Sequence, residues 1–177
     1  TGDVPVGAIV VNSDGVVIGT GFNEREAHND PTAHAEIVAI RNAATRLQKS
    51  RLDGCTLIVT LEPCAMCAGA IAQSRISNLV FGAWDEKAGA VGSVWDVLRD
   101  PRSIFKVEVT SGIRENECAQ LLKDFFNRKP VSSFRFTFKG KESDDSPLTT
   151  GTYTSKNESF RVTIKWKHIG SELKIES

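Results

Sequence analysis

The sequence predicts an α/β domain in which helices alternate with the strands of a partly parallel sheet. Short apolar, β-branched runs recur along the first three quarters of the chain, and segments with helical spacing of small and apolar residues separate them. Such alternation is typical of layered α/β domains. The chain of 177 residues is long enough for a proper core, since a domain of this size buries about 70% of its unfolded surface.

Five apolar segments predict the strands of this domain. Residues 5–11 and 16–22 flank a Ser-Asp-Gly turn, which predicts a β-hairpin. Residues 55–60 and 78–83 are short apolar runs of the kind found in buried strands. Residues 106–111, with the sequence KVEVTS, predict a further strand.

Three segments with helical spacing predict the helices between these strands. They cover residues 31–49, 62–73 and 114–129. Asp30 is the expected N-cap of the first helix, because aspartate accepts hydrogen bonds from free N–H groups at a helix start and Pro31 suits the first turn. Residues 84–93, rich in glycine and alanine, predict a loop, which we call the 84–93 loop.

After residue 130 the pattern changes to alternation of apolar and polar residues. The alternation is clear in residues 134–140 and 160–166 and weak in residues 172–177. It predicts a small antiparallel β appendage with one face toward water. We therefore divide the chain into a domain of residues 1–129 and a β-rich appendage of residues 130–177, whose role the sequence leaves open.

Composition and charge exclude several classes of protein. The chain contains 22 basic and 22 acidic residues, so its net charge gives no overall bias toward nucleic acid or a membrane surface. No apolar run is long enough to cross a bilayer, and the first residues lack a signal-peptide pattern. We expect a soluble, cytoplasmic protein. In that reducing compartment, the spacing of Cys64 and Cys67 indicates a metal site or a redox pair.

Two short motifs bring together the groups of a catalytic metal site. In PTAHAE, His34 and Glu36 stand near a predicted helix start, where both side chains can reach a site beyond the helix end. In PCAMC, Cys64 and Cys67 share one face of another helix start, where the helix dipole favours thiolates. One imidazole and two thiolates leave the fourth position of tetrahedral zinc open for water. Glu36 would move the proton of that water as general base and acid.

Each motif alone has a simpler interpretation. A lone histidine is usually a core or surface residue, and Cys-x-x-Cys also occurs in redox pairs and structural zinc knuckles. Together, His-x-Glu and Pro-Cys-x-x-Cys form the recognised signature of zinc-dependent nucleobase deaminases. The catalytic assignment follows that signature. Cys55 and Cys118, which lie outside it, are expected to be buried structural thiols.

Residues 2–129 resemble the bacterial tRNA-specific adenosine deaminases, for which this signature is already known. The resemblance is carried by DVPVGAIVV, GFN, NDPTAHAEIVAIRNA, LIVTLEPCAMCAGAIAQSRI, LVFGAWDEKAGAVGS and ECAQLLKDFF. It implies a cytidine-deaminase-like three-layer α/β/α fold with a mixed central sheet, a homodimer and one Zn2+ per chain. The implied reaction is hydrolytic deamination of adenosine to inosine at the wobble position of a tRNA anticodon.

The resemblance also implies roles for individual residues. The expected zinc ligands are His34, Cys64 and Cys67, and the expected proton shuttle is Glu36. Asn23 is expected to contact the target nucleoside, and Asp85 to lie near the flanking nucleotide. Phe126, with Phe125, is expected to border the anticodon loop. The simpler alternatives are a turn residue for Asn23, a solvated loop acid for Asp85 and helix packing for the phenylalanines.

The chain departs from the family pattern in two places, and other functions stay open. Family members usually carry an amphipathic helix before VPVGA, so we expect either that the chain is a truncated form or that another element covers that sheet face. The appendage resembles no part of the family. The same zinc site would also serve a deaminase of free guanine, cytosine or deoxycytidylate. A zinc or RNA-binding module without catalysis is a third candidate, although Glu36 argues against a purely structural site.

Overall fold

The computed structural model describes residues 2–127 and the backbone of three further strands. The strands of the first part are β1 (Gly7–Val11), β2 (Val17–Phe22), β3 (Thr56–Leu61), β4 (Asn78–Ala83) and β5 (Glu108–Thr110). Its helices are α1 (Arg25–His28), α2 (Ala35–Leu47), α3 (Ala65–Gln73) and α4 (Glu115–Phe126). The further strands are β6 (Ser133–Phe138), β7 (Ser159–Ile169) and β8 (Glu172–Glu176).

The central sheet is mixed, as the sequence predicted. Its strand order is β2-β1-β3-β4-β5. Strand β1 pairs antiparallel with both β2 and β3, whereas β3, β4 and β5 run parallel. The last residues of β3 and β4, Leu61 and Ala83, are register partners. The carboxyl ends of these two strands therefore meet at one edge of the sheet, where α/β proteins commonly bind ligands.

Helices pack on both faces of this sheet. Val10, Leu57 and Leu79 are fully buried in the cluster that also contains the apolar residues of α2 and α3. A side chain at Gly82 would overlap the Sγ atom of Cys118, so α4 lies directly against β4 on the opposite face. The second apolar cluster lies on that face and consists of Ile9, Val11, Ile58 and Val80. The three-layer α/β/α architecture is thus confirmed.

Helix α2 begins later than predicted, and Asp30 is not its N-cap. The Oδ1 atom of Asp30 accepts hydrogen bonds from the backbone N–H and the hydroxyl of Thr32, at 2.8 and 2.7 Å. This local turn uses the aspartate acceptor before the helix starts. His34 occupies the N-cap position instead, with extended backbone angles, and Ala35 is the first helical residue.

The short helix α1 was absent from the prediction. Four residues are too few to show an apolar period. The buried carboxylate of Asp3 accepts hydrogen bonds from the backbone N–H groups of Glu26 and Ala27, at 2.7 and 3.2 Å. The helix start is therefore held by a side chain that lies more than twenty residues away in the sequence.

The appendage forms a three-stranded sheet in the order β6-β7-β8. The prediction of an antiparallel sheet is right for β7 and β8 but wrong for β6 and β7, which pair in parallel. Parallel neighbours need a connection of about a dozen residues or more, and residues 139–158 supply one of sufficient length. The predicted water-facing side chains lie outside the residues that the structure describes.

No helix within the described residues combines the length and apolar composition that crossing a membrane requires.

Candidate active site

Two helix starts carry the predicted metal ligands to one place. His34 is the N-cap of α2, and Cys64 is the N-cap of α3. Cys67 lies in the first turn of α3 and is fully buried. Because β3 ends just before Cys64, these groups lie near the sheet edge where β3 and β4 end. The prediction that both motifs stand at helix starts is confirmed.

The donor atoms have the spacing of a zinc site. The Nδ1 atom of His34 lies 3.7 Å from the Sγ of Cys64 and 3.5 Å from the Sγ of Cys67. The ligand atoms of the three residues all lie within 4.8 Å of one another. Tetrahedral zinc, with Zn–N near 2.0–2.1 Å and Zn–S near 2.3 Å, requires N···S separations of about 3.6 Å. The donor set therefore fits zinc in both chemistry and spacing.

Glu36 adds a buried carboxyl group to this cluster. It lies in the first turn of α2, and its side chain is 4% exposed. Burial raises the pKa of Glu36 to about 7, although the nearby His34 favours the charged form. A carboxyl group with a pKa near 7 can both take and return a proton at neutral pH.

The two thiols differ in their acidity. A hydrogen bond from the Cys67 thiol is the main cause that lowers the pKa of Cys64 to about 3, and the hydrogen bond with His34 acts in the same direction. The same contact with Cys64, together with burial, raises the pKa of Cys67. One thiolate is thus already favoured at the donor cluster, as a metal ligand requires.

A cavity of about 680 Å³ opens above the donor cluster. This volume lies within the usual range for small-molecule sites. The start of α2 and the residues around Asn23 form one side, the 84–93 loop forms another, and α4 forms a third. The predicted site residues that line it are Asn23, His34, Glu36, Cys64, Asp85 and Phe126.

Asn23 places a free acceptor at this cavity. Its Nδ2 donates to the backbone oxygen of Val4 at 3.3 Å. Its Oδ1 is buried and has no hydrogen-bond partner among the described residues. A buried acceptor without a partner costs free energy, so a donor on a bound ligand would be stabilising there.

Asp85 and Phe126 border the cavity in different ways. The Oδ1 of Asp85 accepts hydrogen bonds from the backbone N–H groups of Lys87 and Ala88, at 3.0 and 3.2 Å, so this carboxylate also shapes its own loop. The ring of Phe126 is 66% exposed and meets Phe125 edge to face, with 5.2 Å between the ring centroids. An exposed ring at a cavity rim provides a stacking surface.

The sequence patterns did not identify Glu62 as a site residue. It was expected only to open the second helix, but its side chain is 2% exposed and accepts hydrogen bonds from three backbone N–H groups of the 84–93 loop. A glutamate between an apolar buried strand and a proline was the available signal. Such a position favours burial of the carboxylate, and buried carboxylates require partners.

Comparison with known proteins identifies the family. Over 128 residues the chain is 51% identical to the tRNA-specific adenosine deaminase of Haemophilus influenzae, which covers 72% of this chain and 74% of that protein. The chain belongs to the tRNA-specific adenosine deaminase family. The family of the cytidine and deoxycytidylate deaminase zinc-binding region matches residues 1–83, which contain all three donor residues. Zinc is therefore the cofactor of this deaminase site.

Solved structures of deaminases share the fold. A structure from biochemical and structural studies of A-to-I editing by tRNA:A34 deaminases is 46% identical, with a TM-score of 0.62, and the match covers 65% of this chain and 83% of that one. The guanine deaminase of Nitrosomonas europaea is 29% identical, with a TM-score of 0.57, over 68% of this chain and 71% of that one. The cytidine-deaminase-like α/β fold is confirmed. Residues 103–177 match a domain of unknown function (DUF4783).

Proposed function

We propose that this protein catalyses the hydrolytic deamination of adenosine to inosine at the wobble position of a tRNA anticodon. The observation that carries the proposal is the position of Glu36, a buried carboxyl that is not part of the donor set. It lines the cavity together with His34 and Cys64, two of the three donor residues. A structural zinc site has no use for such a group. The family to which the chain belongs supplies the substrate class.

The proposed mechanism assigns the metal to three side chains and the protons to a fourth. His34, Cys64 and Cys67 would hold the zinc, which when bound would lower the pKa of water and so supply the nucleophile for C6 of adenine. A Glu36 carboxylate oxygen takes one proton as water attacks. Glu36 then returns a proton to the departing amine, so that water and adenosine give inosine and ammonia.

The cavity walls fit a base that has been turned out of an RNA loop. Asn23 would accept a hydrogen bond from the target nucleoside through its unpartnered Oδ1. Phe126 would stack on a base of the anticodon loop through its exposed ring, since unpaired RNA bases commonly stack on aromatic side chains. Asp85 would lie near the flanking nucleotide, on the 84–93 loop.

Deamination of a free base is the second candidate function. The favouring observation is the shared fold and 29% identity with the guanine deaminase of Nitrosomonas europaea. The zinc site alone does not separate the two reactions. The 46% identity with the tRNA:A34 deaminase structure favours the tRNA substrate.

One assay separates the two candidates. The purified protein is incubated with an adenosine-containing anticodon stem-loop and, in parallel, with free guanine, cytosine and deoxycytidylate. We expect inosine in the stem-loop and no more than background ammonia from the other substrates. Release of ammonia from a free base, without inosine formation in the stem-loop, would show that the substrate is that base and not tRNA.

We further propose a homodimer that acts in the cytoplasm. Several large apolar side chains of the described residues are exposed, which is typical of surfaces that become buried on association. These are Met66, Val94, Trp95, Val97 and Ile104. All four cysteines are free, which fits a reducing compartment. Sedimentation velocity is expected to give twice the mass of the chain.

A further inference from the structure

Glu62 connects the start of α3 to the 84–93 loop. It directly follows the last residue of β3 and lies two residues before Cys64. Its Oε1 accepts hydrogen bonds from the backbone N–H groups of Val91 and Ser93, at 2.9 and 3.0 Å. Its Oε2 accepts one from the backbone N–H of Asp85 at 3.0 Å. A single carboxylate thus holds both ends of the loop.

The loop is shaped to receive this carboxylate. A side chain at Gly89 would overlap the Oε2 and Cδ atoms of Glu62, so glycine allows the backbone to approach the buried acid. The backbone N–H of Ala90 donates to the oxygen of Pro63 at 2.8 Å, and Gly89 forms a β-bridge with Cys64. The loop therefore rests directly on the start of α3.

The held segment is one wall of the active-site cavity. Residues 84–88 line the cavity together with residues at the start of α2. Glu62 itself lines the cavity, but its two oxygens already accept hydrogen bonds from three loop N–H groups. The metal ligands lie at the starts of α2 and α3, and Glu62 is not among them.

We propose that Glu62 is a positioning residue that fixes the 84–93 loop against the start of α3 and thereby sets substrate affinity. The proposal rests on the proposed deaminase function, because affinity is measured with the RNA substrate. Glu62 acts through the loop and does not touch the reacting atoms. Its loss is expected to weaken substrate binding while leaving the metal site and the chemical step largely intact.

The test variant is Glu62→Gln, which keeps the shape but replaces one acceptor oxygen by a donor nitrogen. At least one loop N–H then loses its acceptor, and the loss of one buried hydrogen bond changes an equilibrium about tenfold. We expect about one zinc per chain, a KM for the anticodon stem-loop raised about tenfold and a kcat changed less than about threefold. Hydrogen–deuterium exchange of the 84–93 peptide should accelerate about tenfold, with other peptides unchanged.

Val11→Ala is the matched control. Val11 is buried in the second apolar cluster and pairs with Thr56, at the opposite end of β3 from Glu62. This variant should lower stability without a selective change in loop exchange or KM. If Glu62→Gln accelerates exchange in all peptides as Val11→Ala does, Glu62 is a general stabilising residue and the proposal is wrong.

A second pair of variants tests the fit between the loop and the acid. Gly89→Ala should raise the KM and the hydrogen–deuterium exchange rate of the 84–93 loop as Glu62→Gln does, because its methyl group displaces the carboxylate. Adding Gly89→Ala to Glu62→Ala should cost less than adding it to the wild type, since the overlap with Glu62 is gone and that with the Oγ of Ser93 remains in both. Strict additivity, or an unchanged loop exchange rate in Glu62→Gln, overturns the proposal. If the wild type forms no inosine, the deaminase function fails, and loop exchange still reports whether Glu62 holds the loop.

Discussion

At the scale of single residues, the site depends on helix starts. His34 and Glu36 are two residues apart, a spacing that places side chains on opposite faces in the middle of a helix. His34 is instead the non-helical N-cap of α2, and Glu36 lies in the first turn. Both side chains therefore reach the same cavity. Cys64 and Cys67 repeat this arrangement at the start of α3.

The first prediction concerns the metal. Cys64→Ala combined with Cys67→Ala should lower zinc from about one per chain to near zero, because His34 alone holds zinc weakly. Metal content is measured by mass spectrometry after dialysis. Cys55→Ala is the matched control, since that cysteine is buried outside the donor cluster, and it should keep its zinc. Zinc retained in the double variant would contradict the ligand assignment.

The second prediction concerns the proton shuttle. Glu36→Ala and Glu36→Gln should keep zinc and fold but lower kcat at least about a hundredfold, because neither side chain can carry the proton. Inosine formation under single-turnover conditions provides the measurement. Near-normal turnover in Glu36→Gln would require a different general base.

The third prediction concerns thiol reactivity. Burial raises the pKa of Cys118 to about 11. Because the thiolate is the reactive form, alkylation at pH 8 should be slower than for a free cysteine by a factor on the order of a hundred. The rate should rise with pH until about pH 11. Denatured protein serves as the reference, and equal rates in the folded and denatured states would show that Cys118 is not shielded.

At the scale of elements, the position of α2 is set by glycines in β2. A side chain at Gly21 would overlap the backbone oxygen of Ala35 and the backbone nitrogen of Ala39. These are backbone atoms of a helix and move only if the helix moves. The absence of a side chain at Gly21 therefore lets α2 pack closely enough on β2 to bring His34 to the zinc site.

The fourth prediction follows from this contact. Gly21→Ala should lower the free energy of unfolding by about 1–3 kcal/mol, the usual cost of overpacking, and should also weaken zinc binding. Urea denaturation and zinc titration give the two quantities. Gly69→Ala, on α3, is the control, since a side chain there meets nothing within 4 Å. Equal stability of the two variants would contradict the close packing of α2 on β2.

At the scale of the whole molecule, the site belongs to the first of the two parts. Among the residues that the structure describes, those of the donor cluster and those that line the cavity lie between residues 4 and 126. The strands of the appendage pair with one another in a separate three-stranded sheet. The catalytic part should therefore keep its metal when the appendage is removed.

The fifth prediction tests this separation. A chain ending at Pro130 should keep about one zinc and form inosine at a rate within about threefold of the full chain, because the three candidate ligands all precede the appendage. Zinc content and inosine formation are measured on both proteins at equal concentration of folded chain. A soluble, folded but zinc-free truncated protein would show that the appendage supports the site.

The sequence by itself determined the type of most elements and the chemistry of the site. Apolar runs predicted β1 to β5, and helical spacing predicted α2, α3 and α4, because each of these patterns is local. The candidate zinc ligands could be proposed from the sequence for the same reason. Residues three apart at a helix start lie on one face, as Cys64 and Cys67 do, and His34 and Glu36 stand together in one short motif.

Only the tertiary structure decided the features that depend on distant residues. Asp3 holds α1, Glu62 holds the 84–93 loop, and the length of the connection between β6 and β7 permits their parallel pairing. Asp30 could accept hydrogen bonds at a helix start or within a turn, and in the structure it accepts them from Thr32 within a turn. Such contacts join residues far apart in the chain or balance two local possibilities, so they leave no period in the sequence from which they could be predicted.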